Sequence, residues 1–209
     1  SGDDMLPDMA IGRLAVQTPA ELRGIVKKII AYDQGGDGGG WRSRIMQVAD
    51  DEVDHVGDEE FEKSREKLIK YYIPVAYDTK KVYLRVIQSP TRTNKEIIDN
   101  INKGVVVLEY AGHGGSWTWA DQNIFRGDNI QTLQNKGKYP FVITTTCLNG
   151  FFDKPVRFGE RSFSEEFLLG ENRGAIASLS ATRLTYAAAN SAFDEELFTQ
   201  MFRIKPPIL

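Results

Sequence analysis

A chain of 209 residues with 41% apolar residues, three Trp, eight Tyr and eleven Phe can bury one sizeable core. The formal charge is −3, from 26 Lys and Arg against 29 Asp and Glu, with no dense basic run, which argues against nucleic-acid binding. No apolar stretch approaches the roughly 20 residues of a membrane-spanning helix, and the single cysteine excludes an intramolecular disulfide.

Thr18-Pro19-Ala20-Glu21 is a capping box with Pro at the first helical position, and Leu22, Ile25, Val26, Ile29 and Ile30 follow at helical spacing. The glycine run at 35–40 lacks the Lys-Ser/Thr of a P-loop and reads as a surface loop. Arg44–Ala49 is a predicted strand that runs into the acidic segment Asp50–Glu60. Phe61, Arg65, Leu68, Ile69 and Tyr72 mark a helix, with Arg65 snorkelling at the edge of its apolar stripe. Val82–Ile87 reads as a short strand, Thr93–Asn102 as an amphipathic helix, and Val105–Tyr110 as a strand buried on both faces. Asp128 is expected to cap a short helix, and Phe141–Thr146 to form a second central strand. Ser162-Phe-Ser-Glu165 is another capping box, opening a helix through Leu169. Gly174–Leu179 is a strand, and Phe193, Leu197, Phe198, Met201 and Phe202 mark a last helix. This alternation predicts one α/β domain over 1–209, a sandwich with a mostly parallel central sheet and helices on both faces. Without a signal peptide at one end or an anchor at the other, the chain reads as a piece excised from a longer multidomain protein.

Ligands of open α/β sheets bind beyond the carboxyl ends of the strands, and two reactive residues fall there. His113 lies three residues past Tyr110, in Ala111-Gly112-His113-Gly114-Gly115, and Cys147 directly follows Thr146, with Asn149-Gly150 turning the chain away. They are 34 residues apart (147 − 113), room for one crossover helix between neighbouring parallel strands. Alone, such a cysteine reads as a small buried hydrophobe and such a histidine as a turn residue. On adjacent strand ends they make a catalytic pair. A free thiol, with a pKa of about 8.5, is a poor nucleophile near neutral pH; an adjacent imidazole makes the thiolate accessible and later protonates the leaving amine. The N–H groups of Gly114 and Cys147 are candidate oxyanion donors. His55, in the acidic segment, reads as part of a solvated loop. The functional alternatives there are a carboxylate that orients His113 or a calcium site, although the spacing matches no EF-hand. No cofactor and no metal is expected.

These residues carry a resemblance. Tyr110-Ala-Gly-His113-Gly-Gly, followed by Trp117-Thr-Trp-Ala, resembles the Y-T-G-H-G segment of the gingipain family of cysteine peptidases, and Thr146-Cys147-Leu-Asn-Gly150 resembles its A-C-V-N-G segment around the nucleophile. Gly174–Ser180 followed by Tyr186 is similar to the strand and substrate-pocket wall that come next there. The resemblance implies a caspase-like fold, a Cys147–His113 dyad, and substrate contacts from Tyr186 and Trp117. Val48-Ala-Asp-Asp-Glu52 resembles the strand whose following glutamate supports the catalytic histidine, which gives the orienting role to Glu52, with Asp50 and Asp51 as alternatives. The loop after it is shorter than a gingipain would have, which argues against a basic-residue pocket there. The strand pattern, with Asp8–Leu14 leading into the first helix, resembles more closely the PorU-type C-terminal signal peptidases, the sortases of type IX secretion. The implied function is removal of C-terminal sorting domains from exported proteins at the outer surface of a Gram-negative bacterium, with transfer of the cargo to an anchor as a further step. Exported substrates and other outer-membrane secretion components are the implied partners. A gingipain-like general protease and a non-catalytic caspase-like binding module are the competing readings.

Overall fold

Uninterrupted β-branched runs become the interior strands, as burial on both faces requires. The computed structural model describes residues 11–35, 38–51, 60–153 and 161–204. Among them, β1 (Arg44–Ala49), β2 (Asp78–Tyr83), β3 (Val107–Ala111), β6 (Phe141–Thr145) and β7 (Ala177–Ser180) build a sheet in the order β2-β1-β3-β6-β7, every pair parallel. Parallel neighbours need crossovers. Helices α2 (Glu60–Tyr71), α4 (Pro90–Lys103), α5 (Gly127–Gln131) and α6 (Phe163–Leu169) supply them, with α1 (Pro19–Asp33) before the sheet and α7 (Ala187–Thr199) after it. A small hairpin of β4 (Thr118–Trp119) and β5 (Phe125–Arg126) follows β3.

Side chains alternate across a strand, and that alternation sorts the core. Met46, Val48, Leu108, Tyr110 and Val142 share one face with Ile97 and Ile101 of α4 and Phe163 and Phe167 of α6. Ile45, Val107 and Ile143 share the other with Leu68 of α2 and Phe198 of α7. The result is the predicted α/β sandwich, with helices on both faces.

Both capping boxes form: Thr18 and Ser162 accept from the N–H groups of Glu21 and Glu165, whose carboxylates reach back to the cap. Other expectations need correcting. Val82–Ile87 is not one strand, because β1 ends at Ala49, opposite Tyr83. Beyond that pair the chain has no partner on β1, and Leu84–Ile87 closes its own hydrogen bonds as a helical turn, α3. The residue capping α5 is Arg126, and Asp128 sits inside its first turn, hydrogen-bonded to the Arg126 guanidinium at 3.2 Å. Arg65 does not snorkel. It is wholly buried between Glu109 of β3 and Asp194 of α7 and ion-paired to both. On α1, Leu22, Val26, Ile29 and Ile30 stay 40–51% exposed, while Ile25 and Lys28 are buried. The Lys28 ammonium fastens the helix to the body, donating to the carbonyls of Leu168, Arg173 and Ala175 at 2.9, 3.1 and 3.3 Å.

Candidate active site

Ala111 of β3 lies opposite Thr145 of β6, and His113 and Cys147 each sit two residues past that pair. Both lie at the carboxyl edge of the sheet, on the side of α2 and α7. The His113 ring meets Phe61 of α2 edge-on, centroids 5.9 Å apart at 89°. The Cys147 sulfur rests against Thr185, just before α7: the Thr185 N–H donates to Sγ at 3.3 Å, and the thiol donates to the Thr185 carbonyl at 3.5 Å. His113 is exposed and Cys147 half-buried.

Three contacts brace the two loops against each other. Gly114 rests on Thr146, where a Cβ would stand 2.6 Å from Oγ1, so no larger residue fits without displacing the residue before Cys147. Asn149 is buried between the loops; it accepts from the Trp119 indole N–H at 2.7 Å and donates to the Gly115 carbonyl at 2.6 Å. The start of α6 spans both, since its first N–H groups have no partner inside the helix. Phe163 N–H donates to the Ser116 carbonyl at 2.8 Å, and Ser164 N–H to the Asn149 carbonyl at 3.0 Å.

The backbone around His113 is fixed from below. The Tyr110 hydroxyl donates to the His113 carbonyl at 2.5 Å and accepts from Ala120 N–H at 2.9 Å. Asp50 Oδ2 accepts from His113 N–H at 3.0 Å, and Oδ1 from Asp51 N–H at 2.8 Å. Burial pushes the Asp50 carboxyl above its ordinary value, against the pull of those two donors. Gly112 is required here, because a Cβ would fall 2.3 Å from the Tyr110 hydroxyl. Asp51 instead accepts from Gln122 Nε2 at 3.1 Å. Glu52 and His55, the other candidates from the acidic segment, lie outside the described residues. Of the two candidate carboxylates among the described residues, Asp50 is the one hydrogen-bonded to the His113 segment, through the backbone N–H.

Gly114 forms a bridge with Trp119 whose two bonds come from Gly115 N–H and Ala120 N–H, so the Gly114 N–H takes no part in it. After Cys147, Leu148 is held at a left-handed φ of 62° while its N–H donates to the Arg183 carbonyl at 3.2 Å. A non-glycine residue in that conformation costs free energy that the surrounding turn must offset. The Trp117 ring packs on Gly127, and Tyr186 is 82% exposed at the start of α7. Among the described residues no group of three or more His, Cys, Asp or Glu is arranged to hold a metal ion. Nor is any helix among them long and apolar enough to cross a membrane. Thr185 escaped sequence reasoning because no spacing links it to Cys147. Asn149 carried a signal, the Asn-Gly after the cysteine, but it read only as a turn.

A parallel sheet between two helical layers, with a cysteine and a histidine brought to the ends of its adjacent central strands, defines a caspase-like α/β domain. Residues 1–207 match the sequence pattern of peptidase family C25, and the chain belongs to that family. A Lys-gingipain of Porphyromonas gingivalis is 24% identical over 186 residues, covering 88% of this chain and 10% of that protein. Gingipain R2 of the same species is 25% identical over 189 residues, covering 87% and 24%. The crystal structure of the Arg-specific cysteine proteinase gingipain R superposes with a TM-score of 0.72 at 22% identity, over 95% of this chain and 46% of that one. The complex of Porphyromonas gingivalis RgpB pro- and mature domains gives 0.75 at 20% identity, over 98% and 48%. The chain thus spans between a tenth and a quarter of the length of these curated relatives.

Proposed function

We propose that this chain is the catalytic domain of a cysteine endopeptidase that acts on exported proteins at the surface of a Gram-negative bacterium, removing their C-terminal sorting domains. Cys147 is the nucleophile and His113 its general base. The thiolate adds to the scissile carbonyl, the developing oxyanion is met by the N–H groups of Gly114 and Cys147, and His113 returns the proton to the leaving amine. Water then cleaves the thioester; an amine in its place transfers the cargo to an anchor. Asp50 holds the His113 backbone, and the resemblance assigns the ring-orienting role to Glu52. The observation that carries the reading is the brace between the two loops, in which Gly114 against Thr146 and Asn149 against Gly115 keep His113 and Cys147 in fixed register. Exported proteins bearing sorting domains are the substrates, and outer-membrane secretion components the further partners.

The test is cleavage of a cargo–sorting-domain fusion. Wild-type protein cuts at the junction, while folded Cys147→Ala and His113→Ala variants do not. Undiminished cleavage by Cys147→Ala would sink the assignment. Hydrolysis of short Arg or Lys peptides with the fusion left intact would instead mean a general protease.

A further inference from the structure

We infer that the buried Arg65–Asp194 ion pair is a clamp that sets the separation of His113 and Cys147, which makes Arg65 and Asp194 positioning residues for the reaction. The inference rests on Cys147 being the nucleophile and His113 its base. Each member of the dyad leans on one helix of the same layer. His113 meets Phe61 of α2 edge-on, and Arg65 stands one turn further along that helix. Cys147 rests on Thr185, whose N–H donates to Sγ at 3.3 Å and whose Oγ1 accepts from Asn190 Nδ2 of α7 at 3.0 Å. Asp194 stands one turn beyond Asn190. Residues four apart share a helix face, so on each helix the face that serves the dyad also carries one half of the ion pair. Both halves are wholly buried, and Arg65 also pairs with Glu109, on the strand that leads to His113.

Stability alone does not account for this pair, because buried charges regain from each other little more than the hydration they lose. What the pair adds is direction. Apolar contacts, such as those of Leu68 and Phe198 in the same core, are non-directional and let packed helices slide. A guanidinium holds carboxylates in a planar fork and fixes their distance and angle. The seam between α2 and α7 continues outward, where Lys67 and Tyr72 donate to Glu195 at 2.6 and 2.9 Å. That outer contact is partly exposed and weakly held, so the inner one governs how far apart the helices stand. A shift of either helix moves Phe61 or Thr185, and with it the ring or the sulfur. The thiolate–imidazolium pair depends on that distance.

The experiment follows the rate of Cys147 alkylation by iodoacetamide against pH, beside kcat and KM on the cargo fusion. It uses the 209-residue chain and variants shown to be folded by circular dichroism. In the wild type the alkylation rate should rise through a midpoint below the free-thiol value of about 8.5. Asp194→Ala should move that midpoint up by about one pH unit or more and lower kcat at least about tenfold, with KM within about twofold. Asp194→Asn keeps the shape and leaves Arg65 paired with Glu109, so it guards against a folding defect in the first variant and should fall between. Phe198→Leu, one turn past Asp194, disturbs the packing of the same helix without altering the pair; its midpoint and kcat should match the wild type. An unchanged midpoint and kcat in both Asp194 variants overturns the clamp alone, as does an equal shift in Phe198→Leu. A wild-type midpoint at the free-thiol value overturns the Cys147–His113 pair and the clamp with it.

Discussion

Asn149 has no reactive group, yet its two hydrogen bonds join the segment that carries His113 to the turn that carries Cys147. Replacing it with Ala strands a buried indole N–H and a carbonyl, which costs roughly 2–3 kcal/mol of stability. Loss of register between the two loops should also lower turnover of the cargo fusion about 100-fold with little change in KM, because misplacement by an ångström is expensive in rate. Asn149→Asp keeps the acceptor for Trp119 but not the donor to Gly115, so its turnover should fall between. Equal turnover of both variants and wild type, measured on folded protein, would show that the brace does not position the pair. Cys147 and His113 stood out in the sequence as candidates because glycines and strand ends announce them, and the structure places both at the ends of adjacent strands. The partner of the imidazole was left open among three acids in a row: Asp50 takes the His113 N–H and Asp51 turns to Gln122, while Glu52 lies outside the described residues.

Helices α2 and α7 and strand β3 meet at one buried cation. Arg65 pairs with Glu109 and with Asp194, the latter 129 residues along the chain. Removing it as Arg65→Met leaves two carboxylates in the core and should cost roughly 3–5 kcal/mol, read as a lowered urea midpoint. Replacing all three members with apolar residues should recover much of that loss, since the pair's attraction scarcely exceeds its desolvation cost. A single Arg65→Met change that leaves stability intact would mean that water already solvates the acids. Such a cluster hides from sequence reading, because a charged residue on an apolar stripe ordinarily snorkels and its partners are remote. Starts of helices were legible for the opposite reason: Thr18 with Glu21, and Ser162 with Glu165, are local signals that need no partner. The end of β2 was invisible because its neighbour, not its own residues, decides where pairing stops.

Acids of opposite habit are divided between the surface and the interior of the protein. Outside, hydrogen bonds from Lys95, Arg183 and Lys67 hold Asp99, Asp153 and Glu195 below their ordinary range. Exposed pairs of this kind contribute little each, and what they give is lost as pH falls. Inside, burial raises Asp50, Asp194 and Glu109, the last to about 8. Arg65 can neutralise only one of the two carboxylates beside it, so the folded state keeps a proton on the pair. An unfolded chain releases that proton near the ordinary glutamate value of 4.5. Between there and about 8 the folded protein binds more protons than the unfolded one, and stability must decline as pH rises. The contribution is complete below the window and gone above it. Urea midpoints should therefore be higher near about pH 5.5 than near about pH 8.5, and Glu109→Gln, which keeps the shape without the titration, should flatten most of that slope. A wild-type midpoint that climbs across the window would contradict a shared proton beneath the active edge of the sheet. A slope that persists in Glu109→Gln but vanishes in Asp194→Asn would move the proton to Asp194.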